Sequence, residues 1–539
     1  MLRGARRLLS PSSLYQKETN SWSKCLFSTS SRPRQRTWID DAGGSLQFSC
    51  TQCGKCCKGK TNVFLNMTEA MNISNFLGYS DVQEFIEKNT TTVDTPDGVM
   101  VSLKSKKING KPQCIFLSDT NQCKVHQMKP TQCRTYPFWP QTLMGKNEWE
   151  IEKHRCEGID NEKYPAKVPL GNVLKDLIVH QVHRRGYGSN LGYDEAHEIL
   201  NESFNVDGSN EQMVLNDFSD EFFSNYSSEV LYEDDNVLVL ESRILEPTIT
   251  LEDYVAEHGS EIDDDAFEVP SEQVRYRKLL FKNSPLVSQT VVRMCPGNGS
   301  AVDYGFVEMG IHRFMASLLL NIVKHNQMKL EEDESHRVLV IGGGGCALPM
   351  HVIKSSLVSS LDNPVLIDVV EPNSKMLDLA VQYFGAEFVG ADKKDENSIN
   401  GGKLISHCVS GEKFLGEEKA LNKYDIILID ASDDQLVDGK MVHRAPAASL
   451  IQDPSLLLSR LSNAKGILIL NVLGSREWAL EVQSKLKEVS KNDQHEGPAL
   501  LKIGDDGNYA LIVRKKGTTA TKSRGLVNIL NEVISTESY

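Results

Sequence analysis

No run of about eighteen or more consecutive apolar residues occurs in this 539-residue chain, so no segment is long and apolar enough to cross a bilayer as a helix. Net positive charge is missing too: the formal charge is −14. A general nucleic-acid binder draws its affinity from neutralised phosphates, so nucleic acid is not an expected partner, although a local basic groove is not excluded. Acids are nearly absent from residues 1–38, where Glu18 stands alone among Arg3, Arg6, Arg7, Lys17, Lys24, Arg32, Arg34 and Arg36. This basic, serine-rich start has the composition of an organelle transit peptide, and "CLFSTSS" points to the mitochondrion rather than the chloroplast. A basic tail with no targeting role is the alternative. Basic residues are in turn scarce between Asp207 and Arg275, where Arg243 is the only one. Acidic blocks there, "EDD" at 233–235 and "EIDDD" at 261–265, repel themselves and favour solvated loops. No internal repeat is visible.

What is present divides the chain. Its length exceeds a single core, and 40% hydrophobic with 24% charged residues is ordinary globular composition. After the presequence, residues 45–160 hold eight of the twelve cysteines; 161–274 form an acidic connector and lead-in; 275–516 alternate apolar runs with helical patterns; 517–539 are a tail in which "GLVNILNEVIS" can form a short helix. Within the lead-in, "EVLYEDDNVLVLES" reads as two strands turning at Asp234–Asn236, and "YRKLLFKNSPLVSQTVVRM" as two more turning at Asn283–Pro285. "GIHRFMASLLLNIVKHN" has helical spacing, with Phe314, Leu318 and Ile322 on one face.

The clustered cysteines are Cys50, Cys53, Cys56, Cys57, Cys114, Cys123, Cys133 and Cys156. A disulfide framework is not expected behind an import signal. Scattered buried cysteines would not put four thiols into eight residues. A C-x-x-C turn lets two thiolates converge on one ion, and four complete a tetrahedral zinc site or hold an iron–sulfur cluster. Adjacent side chains tend to diverge, so Cys56 and Cys57 need not serve the same ion. This pattern, with "KPTQCRTYPF" at 129–138, resembles the CxxCxxCC family of zinc- or iron-chelating domains. The resemblance implies a metal, zinc or iron, and little about activity. Lys129 departs from the arginine usual there, and His126 stands where an aromatic is common. His126 and His154 are candidate extra ligands, with solvated or hydrogen-bonded roles as the default.

"RVLVIGGGGCALPMHVIKSSL" reads as a buried strand, a glycine turn and a helix, in which Gly342 to Gly345 let the backbone pass close to a ligand. "PVLIDVVEP" ends on Glu371, the place for an acid that bonds ribose hydroxyls. The separation of 29 residues from Gly342 exceeds the usual spacing because "SSLVSSLDNP" lengthens the connection. Further strands follow at 404–409, at 424–430 ending on Asp430, and at 465–473, with a closing hairpin around "DDGN". Five strand–helix units and a hairpin predict an α/β, Rossmann-like, doubly wound sheet of seven strands. Ligands would meet Gly342, Gly343, Gly344, Glu371 and Asp430 at the strands' carboxyl ends.

Residues 275–516 resemble the class I S-adenosylmethionine-dependent methyltransferases, in particular the spermidine-synthase-like branch and the elongation factor 1-alpha lysine and N-terminal methyltransferase. "VLVIGGGGCALPMHV", "VVEPNSKMLDLAVQYFG", "YDIILIDASDD" and "VDYGFVEMGIHRFMASLLL" carry it. The resemblance implies S-adenosylmethionine at Gly342–Gly344 and Glu371, and a protein or small-molecule amine as acceptor. Two departures matter. Ser410 stands where relatives often place an Asp for the adenine amine, and "PGNGSAVDYG" replaces the amine-gripping segment of spermidine synthases. In methyl transfer the protein positions donor and nucleophile and takes a proton from an amine. Asp430 is the candidate base and Asp433 the candidate orienter of a cationic substrate; strand capping by a loop amide is the structural alternative for Asp430. Cys346 reads as a packing residue. His443 and Arg444 fall in a substrate-loop position. No Asn-Pro-Pro-Tyr follows the fourth strand, against an N6-adenine methylase. A non-catalytic assembly protein and an aminopropyltransferase are the competing readings.

Overall fold

The structure, a computed structural model, describes residues 36–59, 62–95, 98–108, 111–163, 165–185, 192–205, 211–248, 271–285, 288–297, 299–327, 334–389, 402–417, 423–437, 440–462, 466–490, 495–503 and 508–515. The expected presequence, the "EIDDD" block and the tail helix lie outside these apart from residues 36–38. The chain forms two compact units. One comprises residues 1–229 with 242–274, the other residues 230–241 with 275–539.

The first unit holds the cysteines. Its capped helix Met67–Phe76 starts at Asn66, whose side chain accepts from the Glu69 amide while Glu69 returns the bond to the Asn66 amide. Ile73, Phe85, Leu103, Phe116 and Val125 close one small core. A second core joins Leu46, Phe138, Leu143 and Trp149 to Val173, Leu174, Leu177 and Ile178 of the helix Leu170–Arg185. Helices Tyr193–Asn205 and Glu211–Asn225 add Leu200, Leu215 and Phe222 to it. The stretch read as an acidic connector therefore carries three helices that share the core of the cysteine-bearing unit. Their charged residues obscured an apolar stripe spaced at three and four.

Glu69 links these parts. Its carboxylate accepts from the Thr131 amide at 2.6 Å and meets His183 Nε2 at 2.9 Å. Burial works to raise the pKa of Glu69, but His183 and Thr131 outweigh it and hold the carboxyl below its usual range.

Preceding the large sheet, strands Ser227–Glu233, Val237–Pro247, Ser271–Phe281 and Ser288–Arg293 form a four-stranded sheet, with the two turns where the sequence puts them. Helix α1 (Gly310–Gln327) follows. Phe314, Leu318 and Ile322 are buried as one face.

The second unit's main sheet comprises β1 (His336–Ile341), β2 (Val365–Val370), β3 (Gly402–His407), β4 (Ile426–Ile429), β5 (Ile467–Leu473), β6 (His495–Ile503) and β7 (Asn508–Lys515). Their order is β3-β2-β1-β4-β5-β7-β6. The first five are parallel; β7 runs antiparallel to β5 and to β6. Period-two alternation explains why both faces are covered: Val338 and Val340 enter one core, Leu339 and Ile341 the other. Helices α2 (Ala347–Lys354), α3 (Ser374–Phe384), α4 (Gly411–Gly416), α5 (Pro454–Ser459) and α6 (Arg476–Val489) make the connections. The fold is thus the α/β, doubly wound, seven-stranded class. One connection differs from a plain strand–helix unit. After β4 the chain makes an antiparallel hairpin, Asp433–Val437 with Lys440–Arg444, before α5. The intervening sequence lacks an apolar stripe at helical spacing, so a helix there would have no face to bury.

Candidate active site and cysteine cluster

Strand order reverses between β1 and β4, because β2 and β3 extend the sheet one way and β5 the other. Loops leaving the carboxyl ends of two such neighbours part to opposite faces and open a crevice. A cavity of about 360 Å³ lies there. Gly342, Gly343, Gly344, Glu371, Ser410, Asp430 and Asp433 all line it, so every candidate transferase residue is brought to one place. Its charged lining consists of Glu371, Glu412, Asp430 and Asp433; His312 and His443 also face it, and among the described residues no Lys or Arg does.

The glycine turn needs glycine for two reasons. Gly342 has φ +92° and Gly344 +47°, the left-handed region that side chains disfavour. A Cβ on Gly342 would also stand 2.5 Å from the Ala431 amide nitrogen, so this residue lets the loop cross the end of β4. Cys346 opens α2 at φ +57° and is fully buried. Burial, with Glu371 nearby, pushes its thiol up to about 12, which suits packing and not nucleophilic attack. Glu371, only 9% exposed, accepts from the Asn373 amide at 3.1 Å. Burial pushes its carboxyl up; bonds from the Asn373, Gly343 and Gly344 amides only partly offset this.

Among the described residues Asp430 bonds no loop amide through its side chain. Its Oδ2 meets His312 Nε2 at 2.7 Å, and its Oδ1 accepts from Asn471 Nδ2 at 2.7 Å. The loop-amide role falls to Asp433, which accepts from the Ala448 amide at 2.9 Å. Ser410 caps α4, its hydroxyl accepting from the Lys413 amide at 3.3 Å. Two residues on, Glu412 brings a carboxylate to the same wall. Partial burial favours its neutral form, but the Ser449 hydroxyl, its own amide and Ser410 hold it below the usual carboxylate range. His443 lines the cavity from the hairpin, whereas Arg444 lies over the Trp478 ring at 4.8 Å.

In the first unit all eight clustered cysteines are free thiols. Gly54, at φ +72°, starts the tight turn Lys55–Cys57; a Cβ there would meet the Asn121 carbonyl at 2.6 Å. Burial pushes up the thiols of Cys114, Cys123, Cys133 and Cys156, and the charge of Cys56 adds to each. Cys50 acts on Cys123 and Cys53 on Cys156, so the thiols share one neighbourhood. The neighbouring Cys57 thiol is the main influence that draws Cys56 down to about 7. This donor set suits zinc or iron chemically. The thiols are gathered, but among the described residues no three Cys, His, Asp or Glu stand close enough to hold an ion. Binding would then close the cluster and release thiol protons. Neither His126 nor His154 joins such a group. Burial, then Lys129, lowers the pKa of His126.

Three residues of the cavity escaped sequence reasoning. His312 lies 118 positions before Asp430, inside a helix whose apolar spacing explains its neighbours. Glu412, in the first turn after the Ser410 cap, belongs to no motif of its own. Asn471 interrupts an otherwise apolar strand, and a polar residue in a buried run was the available signal.

Solved structures similar to this chain include "a probable spermidine synthase" from Corynebacterium glutamicum, at 11% identity and TM-score 0.32, over 56% of this chain and 86% of that one. Spermidine synthase from Thermotoga maritima aligns at 17% identity and TM-score 0.26, over 46% and 70%. A structure described as "a putative class i s-adenosylmethionine-dependent methyltransferase" from Listeria monocytogenes aligns at 13% and 0.27, over 44% and 73%. Residues 49–157 match the CxxCxxCC family, described as "Putative zinc- or iron-chelating domain".

Proposed function

We propose that the second unit transfers a methyl group from S-adenosylmethionine to an amine of a protein or small molecule, and that the cysteine module binds zinc or iron. The observation that carries the reading is the crevice beside β1 and β4. There the glycine turn, Glu371 and Asp430 surround a cavity of small-molecule size, about 360 Å³, whose charged lining among the described residues is acidic apart from histidines. An acidic wall favours a sulfonium and a cationic amine over anions. Glu371 would hold the ribose hydroxyls, Gly342–Gly344 would admit the methionine portion, and Glu412 would meet the adenine amine that Ser410, spent on its helix cap, leaves unserved. The donor supplies an electrophilic methyl group; the protein orients it, excludes water and removes a proton. Ser410 favours a second reading, a non-catalytic assembly protein that keeps the sheet. The basic presequence supports delivery to mitochondria.

Calorimetric titration of the full chain with S-adenosylmethionine and with its decarboxylated form tests this. Binding of the first in preference to the second is expected. Absence of binding supports the non-catalytic reading, and preference for the decarboxylated donor supports aminopropyl transfer.

A further inference from the structure

We propose that His312, and not Asp430, receives the proton of the methyl acceptor, with Asp430 positioning the imidazole and Asn471 positioning Asp430. The inference rests on the methyltransferase reading above. Asp430 has both oxygens engaged at 2.7 Å, one with His312 Nε2 and one with Asn471 Nδ2. An amide that faces a carboxylate must present its nitrogen, so the orientation of Asn471 follows from chemistry. Asn471 is 7% exposed and reaches Asp430 from β5, while His312 is 6% exposed and reaches it from the first turn of α1. The carboxylate is clamped from two elements.

A neutral imidazole bonded to a carboxylate through Nε2 carries its proton there, which leaves the lone pair on Nδ1. Nδ1 has no hydrogen-bond partner among the described residues, and it is not among the sealed, unpartnered atoms of the interior. His312 lines the same cavity as Asp430 and the glycine turn. The arrangement is the orienting carboxylate and proton-accepting imidazole of a catalytic dyad. Both oxygens of Asp430 are engaged while Nδ1 keeps its lone pair, so the imidazole is the group placed to accept the proton. In the step, the acceptor N–H proton moves to Nδ1 and the freed nitrogen lone pair forms the bond to the methyl carbon. The carbon–sulfur bond breaks with its electron pair remaining on sulfur, which becomes a thioether. Asp430 keeps its charge and stabilises the imidazolium.

A binding experiment tests this without knowledge of the acceptor. Sinefungin carries an amine where the sulfonium methyl stands, and so presents a nitrogen to the proton acceptor; S-adenosylhomocysteine lacks that group. The full-length wild type is expected to bind sinefungin about tenfold or more tighter than S-adenosylhomocysteine, as for one charge-assisted hydrogen bond. His312→Leu offers no nitrogen or oxygen to the sinefungin amine, and it should bring the ratio close to one. His312→Phe, closer to the ring in shape, should do the same. Asp430→Asn should reduce the ratio only in part, since an amide can still hold the ring. Retention of the wild-type ratio in both His312 variants, with its loss in Asp430→Asn, would overturn the assignment in favour of Asp430. A wild type that binds both ligands equally would also overturn it. If the wild type binds neither ligand, the methyltransferase reading itself fails.

Discussion

Replacement of Glu371 by Gln should stabilise the ligand-free protein and weaken its hold on the donor at the same time. The carboxyl sits at the end of β2, 9% exposed, in a cavity with three other carboxylates. Burial raises its pKa, and the amides of Asn373, Gly343 and Gly344 lower it by less. The net upward shift means that the folded protein holds this group's proton more tightly than the unfolded chain does. Stability therefore falls as pH rises from the unfolded carboxylate value of about 4.3 to the higher folded value, and the deficit persists at neutral pH. Glu371→Gln keeps the shape and one acceptor oxygen while removing the charge. Each kcal/mol regained would raise the melting temperature by about 2–4 °C for a unit of this size. On the proposed placement of the donor, the carboxylate would contribute charge-assisted hydrogen bonds to ribose hydroxyls worth about 1.5–3 kcal/mol, so the variant should bind S-adenosylmethionine roughly tenfold to a hundredfold more weakly. Differential scanning calorimetry without ligand and isothermal titration with it read the two effects. A variant that melts lower and binds the donor as well as the wild type would refute the reasoning: Glu371 would then be a structural pin for the glycine turn.

Three further outcomes are expected. Anaerobically purified protein should contain zinc or iron by elemental analysis, and Cys53→Ser with Cys56→Ser should release it; metal-free wild type would remove the metal from the proposal. Glu69→Ala should destabilise the first unit by about 3–5 kcal/mol, because it strands His183 and the Thr131 amide in the interior. Since Glu69 titrates below its usual range, its contribution is complete above about pH 4.3 and is lost as pH falls through the lower folded value; Glu69→Gln should flatten that acid limb of the stability profile. A fluorescent fusion of residues 1–45 should reach mitochondria, and one that stays in the cytosol would refute the targeting proposal.

The seven-stranded sheet was legible from the chain alone, because buried parallel strands must be short, apolar and β-branched, and "RVLVIG", "PVLIDVVEP" and "YDIILID" have no other stable use. Glu371 and Asp430 were legible for the same reason: an acid that ends an apolar run is placed at a strand's carboxyl end by the run itself. Gly342 could be singled out as glycine, but not for its actual reason, the crossing of the end of β4 at Ala431. The chain alone also located the eight thiols by their density. It did not reveal that the Cys57 thiol lowers that of Cys56, since the tight turn Lys55–Cys57 depends on Gly54 packing against Asn121, far along the sequence. Three helices between Leu170 and Asn225 lie in the stretch expected as connector and lead-in, where helix burial depends only on the spacing of a few apolar residues. What tertiary structure alone decided is the partnership of His312, Asp430 and Asn471. These residues lie on α1, β4 and β5, and no local pattern links positions 312, 430 and 471; only the strand order that sets β4 beside β5, with α1 beginning at that end of the sheet, brings a ring and an amide to the two oxygens of one carboxylate.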